Sequence, residues 1–285
     1  MTMNRSVIPL IVLLGCQLAS AQVAAQASEE RPQLTLSIKV WNSSWASAIP
    51  TVYTGVRGNG TPGLIESLDF TEGGSKTATF PAISVRKGKV FAAGSFARYT
   101  GDLRVDNSAI IAPNGANIIT ARTDHLRRKE SDLALGYLVS PNIAFTVGYK
   151  YATEKRDTAL AITGGAFSPT YDYKVNGLIL GGLANFEIHG PLRFYGQLGI
   201  GPARVKAKFY DPSIAASKSS ARYLISEMGL NYALQITDNY IKGASVGLGY
   251  RSQVVRTKGI APAYRTGRDY RDSKDGVIVS LNVAI

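Results

Sequence analysis

The chain has 285 residues, a formal net charge of +12 and an isoelectric point near 9.7, with a single cysteine and two histidines. One cysteine excludes a disulfide framework, and two histidines leave little for a histidine-based metal centre. Mean hydropathy is close to zero, a value shared by soluble domains and by lipid-facing strands in which apolar and polar residues alternate.

In chain order, a short segment with the single cation Arg5 precedes the apolar run from Val7 to Gly15 and a small-residue tract from Ala19 to Ala27. This is the layout of a secretory signal, and the run is too short for a membrane helix. Residues 1–27 are therefore expected to be a signal peptide, cut after Ala21 or after Ala27, with residues 28–285 as one domain. Leu13-Leu14-Gly15-Cys16 also resembles a bacterial lipoprotein box, in which Cys16 would carry lipid.

Beyond this segment the pattern repeats with a period of about two, not the helical period of about 3.6. Leu34, Leu36, Ile38 and Val40 alternate with Thr35, Ser37 and Lys39; Ile143, Phe145, Val147, Tyr149 and Tyr151 alternate with Ala144, Thr146, Gly148 and Lys150. Leu224, Met228, Leu230 and Tyr232 oppose Glu227 and Asn231, and Val246, Leu248 and Tyr250 oppose Ser245, Gly247 and Arg251. In the last run Val277, Val279, Leu281, Val283 and Ile285 oppose Ile278, Ser280, Asn282 and Ala284.

Strands are predicted near 34–42, 78–86, 89–99, 131–139, 143–153, 171–187, 191–208, 221–234, 240–254 and 276–285, which makes ten, with eight as the alternative count. Short turns at Lys87-Gly88, Ser140-Pro141-Asn142, His189-Gly190 and Gln235 to Asn239 alternate with long connections at about 43–77, 100–130, 154–170, 209–220 and 255–275. An all-β, antiparallel, up-and-down transmembrane barrel is the expected fold, because closure removes strand edges that lipid would leave unpaired. Aromatic girdles are expected from Trp41, Tyr99, Tyr151, Tyr173, Tyr223 and Tyr250 at the long-loop end, with Tyr171 and Tyr210. At the short-turn end they are expected from Tyr137, Phe186, Phe194, Tyr232 and Tyr240.

Through the export signal, the alternating loop lengths and the terminal strand Gly276 to Ile285, the chain resembles the broad superfamily of small bacterial outer-membrane β-barrel proteins. The resemblance is architectural and carries no functional residues. It implies residence in the outer membrane, insertion by the barrel-assembly machinery, and long loops outside the cell.

Lys39, Lys150, Glu227 and Arg251 fall on the inward face, and the expectation is a lumen plugged by ion pairs around Glu227. The alternative is a narrow porin-like channel for small anionic solutes. Basic residues gather at the outer rim, among them Arg98, Lys155, Arg156, Lys174 and Arg256. Lys206, Lys208 and Arg222 are the residues singled out for contact with lipopolysaccharide phosphates. Asp124-His125 is the one acid and imidazole pair in a long loop. Around it no omptin motif is present, so catalytic residues, metal ligands and cofactors are expected to be none, nucleic acid is not an expected partner, and a hydrolase stands third. The function expected is a non-enzymatic envelope barrel that acts through basic extracellular loops.

Overall fold

The computed structural model describes residues 32–47, 51–56, 62–67, 71–111, 117–162, 165–167, 170–208, 216–236, 240–258 and 269–285. The signal segment 1–27, both candidate cleavage sites, Cys16 and Tyr210 lie outside the described residues.

Ten long strands form the wall: β1 (Gln33–Ser47), β4 (Thr71–Lys87), β5 (Val90–Ile111), β6 (Asn117–Ser140), β7 (Ile143–Ile162), β9 (Thr170–His189), β10 (Leu192–Lys208), β11 (Ser217–Leu234), β12 (Gly243–Lys258) and β13 (Asp269–Ala284). The hairpin β2 (Thr51–Val56) and β3 (Pro62–Ser67) stands in the first long connection, and the short β8 (Gly165–Phe167) pairs with the end of β7. Every wall pairing is antiparallel between chain neighbours, and β1 pairs with β13, so the sheet closes on itself. The main chains of Leu34 and Ile285 exchange hydrogen bonds at that seam.

Strand ends at the short turns fall close to the sequence expectation because the turn chemistry is local. Gly88 and Gly190 adopt positive φ, 58° and 54°, at two of them, a conformation that glycine takes without steric cost. At the opposite end the strands run further than expected: β5 and β6 pair as far as Ile111 with Asn117, so most of the expected loop at 100–130 is ladder.

Alternation decides which way each side chain points. Leu133, Leu135 and Leu248 face outward with 60 % or more of their surface exposed, while their strand neighbours Asp132, Ala134, Gly136 and Gly247 are buried. An apolar face of that extent is a surface for hydrocarbon, not for water. The interior is mixed. Charged residues fill its middle, and apolar patches lie around Tyr173, Ile179 and Tyr223, around Trp41, Trp45 and Phe80, and around Phe91, Leu138 and Leu183.

Two parts of the aromatic expectation separate here. Tyr137, Phe186, Phe194, Tyr232 and Tyr240 are exposed at the short-turn end, and Tyr151 and Tyr250 are exposed higher up. Trp41, Tyr99, Tyr173 and Tyr223 instead point into the lumen and are buried. Trp41 shares the parity of Thr35 and Lys39, and parity prevails over an aromatic's affinity for the interface.

Candidate functional site

Two ion-pair networks fill the lumen. In the one nearer the short turns, Glu227 on β11 stands in register with Arg251 on β12 and Gln197 on β10. Its Oε2 accepts from Arg251 Nη1 at 3.0 Å and Gln197 Nε2 at 2.5 Å, and its Oε1 accepts from Lys39 Nζ at 2.7 Å. Lys39 lies on β1, separated from β11 by β13 and β12, so this bond crosses the lumen. The Arg251 guanidinium also lies 5.3 Å from the Trp41 ring centroid, a cation–π contact that strengthens away from water.

The second network centres on Glu130 of β6. Its Oε1 accepts from Arg128 Nε and Tyr99 Oη, both at 2.6 Å, and from Lys274 Nζ at 2.9 Å; its Oε2 accepts from Lys150 Nζ at 2.8 Å. Lys150 also reaches Asp132 at 2.8 Å, and Lys274 contacts the Tyr99 hydroxyl. Arg128 continues to Asp272 at 2.8 Å and Glu154 at 3.1 Å, and Trp45 donates to Asp272 at 2.6 Å. Arg156 closes the chain on Glu154 at 3.2 Å. Four cations, Arg128, Lys150, Arg156 and Lys274, thus meet four carboxylates, Glu130, Asp132, Glu154 and Asp272. That balance is needed because an unpaired buried ion costs several kcal/mol, roughly 3–5 when one partner is removed.

Among the inward residues expected from the sequence, Lys39, Glu227 and Arg251 come together, and Lys150 does not join them. It stands opposite Asp132 in the β6–β7 ladder and serves Glu130. Lys39, Lys150, Glu227 and Arg251 are each at most 2 % exposed, so side chains pack against one another at this level. Arg128, Glu130, Glu154, Asp272 and Lys274 were not singled out from the sequence, because they lie in stretches read as loops.

Basic residues form a belt on the outer face, on the long-loop side of each strand's apolar run. On β6, Arg127 and Lys129 precede Leu133 and Leu135; on β10, Arg204, Lys206 and Lys208 follow Ile200; on β12, Arg256 and Lys258 follow Leu248 and Tyr250. Cross-strand register continues the belt: Arg98 pairs with Lys129, Lys129 with Thr153, Thr153 with Lys174, Lys174 with Lys206, and Lys206 with Lys218. A second row joins Arg222, Arg256 and Arg271. Lys206, Lys208 and Arg222 are exposed members of this belt, whereas Arg156, expected at the rim, is buried against Glu154.

His125 Nδ1 lies 2.6 Å from Asp102 Oδ1 on the exposed outer face of β5 and β6. The β5–β6 ladder places Asp102 directly opposite His125, where the sequence pointed to the adjacent Asp124. His189 is exposed beside a short turn. Among the described residues, no three His, Cys, Asp or Glu side chains converge in a way that would hold a metal ion.

An antiparallel barrel sealed by its first and last strands, with an apolar outside and a charged inside, defines a bacterial outer-membrane β-barrel protein. The chain has that architecture. Residues 116–250, just under half of the chain, match the OmpA-like transmembrane domain. Among solved structures it is similar to the outer-membrane protease OmpT of Escherichia coli, with TM-score 0.54 and 11 % identity, covering 89 % of this chain and 97 % of that one. Fainter likenesses are the toluene transporter TodX of Pseudomonas putida, with TM-score 0.30, 9 % identity and 89 % of each chain covered, and a FadL homologue of Pseudomonas aeruginosa. The latter has TM-score 0.34 and 8 % identity, and covers 89 % of this chain and 90 % of that one. At these identities the likeness is one of fold. No curated protein matches the sequence.

Proposed function

We propose that the protein is a non-enzymatic envelope barrel with a closed lumen, whose outward basic belt binds lipopolysaccharide phosphates in the outer leaflet. The observation that carries this reading is the position of the belt: exposed Lys and Arg side chains recur immediately beyond the apolar band, from β5 round to β13. Charge-assisted contacts to phosphate are among the stronger hydrogen bonds, and a lipid surface supplies the phosphates at that depth.

The packed ion pairs around Glu227 and Glu130 support the closed lumen. Purified barrel in planar bilayers is expected to show no steady conductance. Sustained anion-selective current that changes in Glu227→Gln would replace this reading with the narrow channel.

The belt has its own test. The charge reversals Lys206→Glu, Lys208→Glu and Arg222→Glu together are expected to lower lipopolysaccharide retained through purification by about tenfold, equivalent to about 1.4 kcal/mol. Unchanged retention in a barrel that still shows a heat-modifiable gel band would reject the belt as a lipopolysaccharide surface.

A further inference from the structure

On the face formed by β5, β6, β7 and β9, the belt is interrupted by a cavity of about 470 Å³ whose lining includes Arg98, Arg127, Lys129, Lys155 and Lys174, with one acid on this outer face, Asp172, opposite Lys155 in the β7–β9 ladder. Arg127 is paired with Asp157 at 2.6 Å. Among the described residues, Arg98, Lys129, Lys155 and Lys174 have no ion-pair partner. Like charges on adjacent strands repel, so a concavity in which these four cations face the single outer carboxylate of Asp172 keeps an excess of positive charge and favours an anion that occupies it.

Directly toward the short-turn end, on the lipid side of the same strands and of β4, lies an apolar groove of about 560 Å³. Its floor is the outward pair Ala92 and Gly94 on β5, and its walls are Ile83 and Val85 on one side and Leu133 and Leu135 on the other. Two small residues between large ones leave a trough at the depth where hydrocarbon surrounds the barrel. Tyr149 and Asn176, hydrogen-bonded at 3.1 Å, mark the border between trough and cavity.

We propose that groove and cavity together form one binding site for a single phosphorylated, multiply acylated glycolipid of the lipid A type. An acyl chain would lie in the Ala92–Gly94 trough and the phosphorylated sugar in the cavity. This inference rests on the belt reading above and narrows it to one site. A phosphodiester lipid brings a single negative charge, whereas each phosphomonoester brings up to about two. Four cations against one carboxylate, an excess of three positive charges, match a headgroup with two phosphomonoesters better than they match a phospholipid. The size of the cavity also exceeds what one phosphate fills.

Native mass spectrometry of the folded, delipidated full-length barrel tests this, with diphosphoryl lipid A, monophosphoryl lipid A and phosphatidylglycerol as probes. One diphosphoryl lipid A per barrel is expected, held about tenfold more tightly than either other lipid. The combined Lys129→Glu, Lys155→Glu and Lys174→Glu variant should lose that preference. Gly94→Leu, which fills the trough from outside, should weaken lipid A binding while leaving the deacylated diphosphoryl disaccharide unaffected. Equal binding of phosphatidylglycerol would overturn the assignment, and so would lipid A binding lost in the Lys206, Lys208 and Arg222 variant but intact in the Lys129, Lys155 and Lys174 variant. If neither variant lost lipid A, the belt reading itself would fall. A preserved heat-modifiable band in each variant separates loss of binding from loss of fold.

Discussion

Glu130→Gln is expected to destabilise the barrel by about 3–5 kcal/mol, the cost of removing one partner from a buried ion cluster. Glu130 accepts from two lysines, an arginine and a tyrosine. Neutralising it leaves Lys274 without its carboxylate and returns Lys150 to Asp132 alone among the partners described above. The amide also puts an N–H donor where a carboxylate oxygen accepted from lysine or arginine, which adds an unfavourable contact beyond the lost charge. Glu227→Gln should cost less, because Glu227 compensates two cations, Lys39 and Arg251. Urea unfolding of refolded protein in detergent measures both, and the signal is convenient. The chain's two tryptophans are buried in the lumen, with Trp45 beside Lys274 and Arg128 and Trp41 beside Arg251. An unchanged midpoint in Glu130→Gln would mean that the cluster is hydrated or open, and the closed-lumen reading would lose its basis. Raised salt should not mimic the variant, since screening acts on exposed charges far more than on buried ones.

Much of this interior was legible one strand at a time. The parity of Lys39 with Thr35 and Ser37 puts it inside, whereas Asp132 comes opposite Lys150 only because the β6–β7 ladder shifts by one residue between Leu138 and Ser140. Counted from the turn pair Ser140 and Ile143, Lys150 would face Leu133, so the turn alone does not assign Lys150 to Asp132. Bonds across the lumen are a different matter. Lys39 meets Glu227 only because four strands curve through part of a closed circle, and nothing local to either residue specifies that chord.

The long-loop ends were illegible for a physical reason. Beyond the membrane the outward face no longer has to be apolar, so Arg127 and Lys129 alternate with Arg128 and Glu130, polar against polar, and the period vanishes from any hydrophobicity pattern. The strands persist there because the cross-strand ladder continues. The cavity of the β5 to β9 face was hidden for the same reason: its lysines and arginines come from four strands, and only register gathers them.

Gly201→Val is expected to prevent refolding altogether, and Gly201→Ala to cost about 1–3 kcal/mol, the range for forcing extra atoms into a packed site. Gly201 precedes Pro202 within β10, and the β10–β9 ladder pairs Ile200 with Leu180 and resumes at Ala203 with Gly177. Proline has no N–H to give to a neighbouring strand, and over this gap the two backbones approach closely. A β-carbon on Gly201 would overlap the carbonyl of Leu178 and press on Ile179, and one on Gly177 would meet the carbonyl of Pro202. Both obstacles are main chain, so no rotamer change relieves them. In an open sheet the pair could move apart. Here each strand is held on both sides, and separation at β9–β10 must be taken up around the whole ring. Gly94→Ala is the matched control, because its new methyl would press only on the movable Leu133 side chain and lie at ordinary contact distance, 3.7 Å, from the Asp132 carbonyl. If Gly201→Val gave a heat-modifiable band and the parental urea midpoint while Gly94→Ala did the same, the close approach of β9 and β10 would be refuted.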